Sequence, residues 1–84
     1  MWKITRDCLE GKTVRIESRT WDEEKAKTVP LYRFRLLDDD GIHYYYGVST
    51  SDSSFAPLDG YGAPNDGCTL IEYRNAKTRK YEAL

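Results

Sequence analysis

The sequence predicts a mainly β fold: a single small antiparallel sheet, or a curled half-barrel, of about five or six strands with at most one short helix. Three observations lead there. Apolar and polar residues alternate with the two-residue period of a half-buried strand, most clearly where Tyr32, Phe34 and Leu36 interleave with Arg33 and Arg35. Three pairs of such runs are joined by short segments rich in Gly, Asp or Asn. Finally, 84 residues carrying two Trp, two Phe and seven Tyr suit one thin core in which aromatic side chains bury most of the area. Residues 1–84 are therefore expected to form one β-rich domain.

The first hairpin is expected from Trp2 to about Ser18, turning near Glu10-Gly11-Lys12, with Trp2, Ile4, Val14 and Ile16 on its apolar side. Thr20 followed three residues later by Glu23 has the form of a capping box. With a Glu23–Lys27 pair across one turn, it marks residues 21–28 as a short helix or a solvated loop. Pro30 bars its continuation, because Val29 is pushed away from the helical region.

The second hairpin runs from Leu31–Leu37 through Asp38-Asp39-Asp40-Gly41 into Ile42–Val48. Loop length decides which tyrosines join Phe34, since a slip of one residue exchanges the faces. A three-residue loop, Asp39-Asp40-Gly41 with Gly41 left-handed, places Ile42, Tyr44, Tyr46 and Val48 with Phe34 and is favoured on hydrophobic content. A two- or four-residue loop places His43 and Tyr45 there. Residues 49–67 read as a long loop of consecutive turns, with Phe55 and Leu58 pinning it to the core. A third hairpin is expected from Thr69–Arg74 and Arg79–Leu84 around Asn75–Thr78.

Thirteen basic and fourteen acidic residues give a net charge of −1, against a dedicated nucleic-acid binder. No segment reaches membrane-spanning length and the N-terminus lacks a signal-peptide core, so the expected address is the cytoplasm, where Cys8 and Cys68 stay unlinked. The consecutive aspartates do not follow the alternating ligand pattern of a calcium loop, and they suit a hairpin turn. Cys8, His43 and Cys68 fall in no zinc spacing. Gly47-Val48-Ser49 lacks the second glycine of a nucleophile elbow, and Gly60–Gly67 lacks the ending of a phosphate loop. No cofactor, no metal and no catalytic residue are expected.

What remains is surface. Arg33 and Arg35 share a strand face, with His43 and Tyr45 beside them in one register or Tyr44 and Tyr46 in the other, and the 49–67 segment offers Phe55, Leu58 and Tyr61 stiffened by Pro57 and Pro64. Tyr61, between two glycines, is expected to be exposed. Tyrosine and arginine are the residues that anchor protein interfaces. The expected function is a non-catalytic domain that binds a protein partner, of adaptor or inhibitor type and of phage or mobile-element origin. The runner-up is a small β domain that binds single-stranded nucleic acid through Arg33, Arg35 and stacked tyrosines. A small enzyme comes third. The membrane is not an expected partner.

Overall fold

The computed structural model describes residues 1–84 and is mainly β: six strands in one open antiparallel sheet. They are β1 (Trp2–Asp7), β2 (Lys12–Glu17), β3 (Tyr32–Leu37), β4 (His43–Ser49), β5 (Leu70–Arg74) and β6 (Tyr81–Ala83), in the spatial order β2-β1-β4-β3-β5-β6. The three expected hairpins are present, with the β3–β4 hairpin at the centre. Gly11 and Gly41 take φ of 65° and 78° in the first two turns, a region that side chains with a Cβ avoid. In the third turn the Asn75 side-chain oxygen accepts from the amides of Lys77 and Thr78, closing it locally.

The core lies on one face. Ile4, Phe34, Leu36 and Ile71 are fully buried, with Trp2 and Ile16 packed partly against them. This is the face that alternation assigned to Phe34 and Leu36.

The central register differs from the expected one, for a local reason. The loop is the expected three residues, since Asp38 and Ile42 pair across Asp39-Asp40-Gly41 and the Asp38 carboxylate accepts from the Asp40 and Ile42 amides. Leu37 then pairs with His43, but Leu36 pairs with Tyr45, leaving Tyr44 as an extra residue on β4. This bulge exchanges the faces of everything beyond it. Tyr45, Gly47 and Ser49 turn to the core, and Tyr46 and Val48 to the other side. The Tyr44 carbonyl is satisfied by the Cys8 amide at 2.9 Å. A second irregularity at Thr5 lets β1 follow the same shift, from Ile4↔Gly47 to Arg6↔Tyr46.

The 49–67 segment is not an open loop. It folds into a π-helical stretch, Leu58–Gly62, that continues into one α-turn, α2 (Ala63–Asp66), closed by left-handed Gly67. These nine residues form the second layer, over the core face. The close approach explains Gly62, where a Cβ would meet Leu36 at 2.9 Å and Cys68 at 3.2 Å. The only other helix, α1 (Glu23–Ala26), is a single turn within the expected 21–28 window. Its cap is Asp22, which accepts from the Glu24 and Lys25 amides, and not Thr20; Lys27 pairs with Glu24 in place of Glu23. Neither helix is long and apolar enough to cross a membrane.

Candidate binding face

Because the helical layer covers one face of the sheet, the other is left largely open. The residues alternating with the core positions are Lys3 and Arg6 on β1, Arg15 and Glu17 on β2, Arg33 and Arg35 on β3, Tyr46 and Val48 on β4, Glu72 and Arg74 on β5, and Tyr81 on β6. Basic residues dominate this set. Six of the fourteen acids fall within residues 36–71, which include the helical layer and hold no Lys or Arg, while Glu17 and Glu72 are the acids among the six cations of this face. The net charge of −1 is a sum over the whole chain and says little about this one face.

Several of these cations are already committed. Arg15 bridges Glu17 at 2.8 Å and Glu23 at 2.6 Å, and Lys3 lies 3.6 Å from Glu23 and 4.7 Å from the Trp21 ring centre. These contacts dock α1 and Trp21 over the β1–β2 end of the face. Arg35 holds Glu72 at 2.6 Å across the β3–β5 ladder, with both side chains mostly shielded, and its guanidinium sits 4.2 Å from the Tyr81 ring centre. Burial opposes the charge on Arg35, but the hydrogen bonds and charges of Glu72 and Tyr46 together outweigh it and raise the pKa.

Arg6, Arg33 and Arg74 have no carboxylate partner within 4.0 Å. Arg6 and Arg33 line a hollow of about 360 Å³ with Thr5, Tyr46, Gly47, Val48 and Tyr81. Burial and the neighbouring Tyr46 push the Tyr81 phenol up, while Arg35, Arg33 and Arg74 all pull it down; Arg35 covers the ring, Arg33 lines the same hollow and Arg74 is the cross-strand partner of Tyr81. The aromatic groups here are held in place. Tyr46 stacks at a tilt on Tyr81 (6.2 Å between centroids), packs edge-on to His43, and shares a 3.0 Å hydrogen bond with His43 Nδ1.

The structure brings together Arg33 and Arg35 as the sequence implies, but with Tyr46 beside them and not Tyr45. Tyr45 is buried on the core face, where its hydroxyl donates to Asp66 at 2.7 Å and its ring meets Tyr61 edge-on at 5.4 Å. Tyr61 is therefore half-buried and not the exposed tip expected of it, because the helix carries its ring onto the sheet. Leu58 is core. Phe55, expected to pin the segment to the core, is instead exposed just before the helical layer, because Leu58 fills that role. Sequence reasoning offered Tyr46 only in the alternative register, and passed over Arg6, Arg74 and Tyr81. Alternation in the third hairpin could have found Arg74 and Tyr81, which pair directly; Arg6 and Tyr46 lie just past irregularities that alternation does not detect.

No reactive thiol is available nearby. Burial pushes Cys68 up to about 11 and also raises Cys8, so both are protonated at neutral pH, and they are unlinked. No group of three or more His, Cys, Asp or Glu converges to hold a metal ion. No known family model matches the chain, nor does any curated protein or solved structure.

Proposed function

We propose that the protein is a non-catalytic binding module whose open sheet face docks an acidic segment of a protein partner. The observation that carries this reading is a pair of arginines without carboxylate partners, Arg6 and Arg33, lining an aromatic-walled hollow, with unpaired Arg74 next to Tyr81 at its edge. Uncompensated guanidinium groups on a shared surface repel one another, and a partner's carboxylates relieve that repulsion with paired, directional hydrogen bonds. Tyr46, Tyr81 and Val48 supply apolar area between the charges, the composition of an interface centre.

Fixed rings favour a protein over single-stranded nucleic acid. Base stacking needs an aromatic face that is free, whereas Tyr81 has Arg35 on one side and Tyr46 beside it, and Tyr46 is held by His43. The basic excess of this face, however, removes net neutrality as an argument between the two, so the oligonucleotide belongs in the test. Fluorescence anisotropy of a labelled Glu-rich peptide and of a single-stranded dT oligonucleotide provides it. The peptide is expected to bind more tightly at physiological salt, and to lose about tenfold in affinity on either Arg6→Ala or Arg33→Ala. Tighter oligonucleotide binding that the same substitutions abolish would replace this reading with the nucleic-acid one.

A further inference from the structure

Resting on the acidic-partner reading, we infer that the hollow between Arg6 and Arg33 is a phosphate-recognition site, taking a phosphorylated side chain within the docked segment.

The argument starts from spacing. Arg6 stands opposite Tyr46 on one side of β4, and Arg33 stands opposite Val48 on the other. Two strand spacings across the sheet and two residues along it separate them, roughly 12 Å between backbones. Two extended arginine side chains span that gap, so both guanidinium forks reach an anion held above β4, whereas neither reaches a carboxylate of this chain. Both arginines are exposed, and Arg74 adds a third positive charge beside Tyr81.

The second step concerns the anion. A single carboxylate carries one charge and two oxygens, which one guanidinium fork satisfies. A phosphate monoester carries nearly two charges at neutral pH and three terminal oxygens, enough to engage two forks at once. Glutamates on this face already satisfy Arg15 and Arg35, so the free pair differs in what it lacks: an anion large and charged enough to bridge. The hollow is floored by fixed side chains, Tyr46, Val48 and Tyr81, and the long rigid stem of a phosphotyrosine carries its phosphate across them to both arginines, further than the short stem of a phosphoserine reaches. A nucleic-acid backbone offers phosphodiesters with one charge each, and these match the bridge less well.

Isothermal titration calorimetry with the full chain tests this, using one Glu-rich peptide containing a central tyrosine, the same peptide phosphorylated on that tyrosine, and a dT oligonucleotide. The phosphopeptide is expected to bind about tenfold more tightly than its unphosphorylated twin. That advantage should vanish in Arg33→Ala and in Arg6→Ala, while both variants keep the wild-type thermal midpoint. Arg33→Lys should recover only part of it, because an ammonium lacks the fork. Equal affinity for the two peptides would overturn the phosphate site and leave the acidic-partner reading standing. Binding of neither peptide would overturn both, and preference for the oligonucleotide would assign the arginines to phosphodiesters.

Discussion

The ring of Phe34 occupies the space in which a Cβ on Gly47 would stand: its Cζ lies 2.5 Å from that position, and the Lys3 carbonyl oxygen closes the other side. This single contact fixes the centre of the sheet. Phe34 is fully buried because β4 presents no side chain beneath it, and β4 does so only in the register that the Tyr44 bulge creates.

Gly47→Ala is accordingly expected to cost about 3 kcal/mol or more, since the obstruction on one side is backbone and cannot rotate away. Phe34→Ala is expected to cost about 3–5 kcal/mol through lost burial and a cavity against Tyr73, whose ring meets it edge-on at 6.0 Å. Urea denaturation measures both. An unshifted midpoint for Gly47→Ala would contradict the register.

Tyr45 and Asp66 tie the helical layer to the bulged strand through a 2.7 Å hydrogen bond. Tyr45→Phe keeps the ring on Tyr61 and removes only that bond. Asp66 is exposed and water takes over its solvation, so the expected loss is about 1 kcal/mol. Hydrogen exchange should show the loss concentrated in residues 58–66, with the amides of β1 and β3 little changed.

Alkaline pH should weaken the fold in a defined window. Burial raises the Cys68 thiol from its ordinary 9.0 to about 11, so between those values the folded chain binds more protons than the unfolded one. The sign follows: this contribution is complete below pH 9 and is lost as pH rises toward 11. Tyr45, whose phenol is raised by burial and then by Asp66, extends the loss above its ordinary 10.0. Urea midpoints should fall across this range, and Cys68→Ala should flatten the early part of the slope. A level profile in wild type would contradict the burial of both groups.

Much of this architecture was legible in the residues. The three hairpins follow from alternation and from Gly11, Gly41 and Asn75 at the turns, where local chemistry alone selects the conformation. The bulge was not, because Tyr44, Tyr45 and Tyr46 are consecutive and either register offers an aromatic to the core. Only the tertiary fit of Phe34 on Gly47 decides between them. The helix at Leu58–Asp66 was also hidden. Two glycines and a proline in nine residues argue for turns by propensity. The structure uses Gly62 for close packing against Leu36, and places Pro64 in the first turn of α2, where its missing donor matters least. The face with Arg33 and Arg35 was legible from one strand; its extent was not, since Arg6 and Tyr46 reach it through irregular pairing.

The arginines on the open face should separate by role. Arg35 is held by Glu72 and covered by Tyr81, so Arg35→Ala is expected to cost about 1–2 kcal/mol of stability by leaving Glu72 half-buried and unpaired. Arg33 is exposed and unpaired, so Arg33→Ala should leave stability within about 0.5 kcal/mol of wild type. Thermal melts of the two variants side by side check this, and equal losses would contradict the assignment.

The central claim, that the open sheet face and not the helical layer engages an acidic partner, is tested most directly by nuclear magnetic resonance. Amide shifts of the labelled protein are followed while an unphosphorylated Glu-rich peptide is added. Perturbations are expected at Arg6, Arg33, Val48, Arg74 and Tyr81, with Phe55 and Tyr61 unmoved. Shifts clustered at Phe55 and residues 58–66, or none at all, would contradict it.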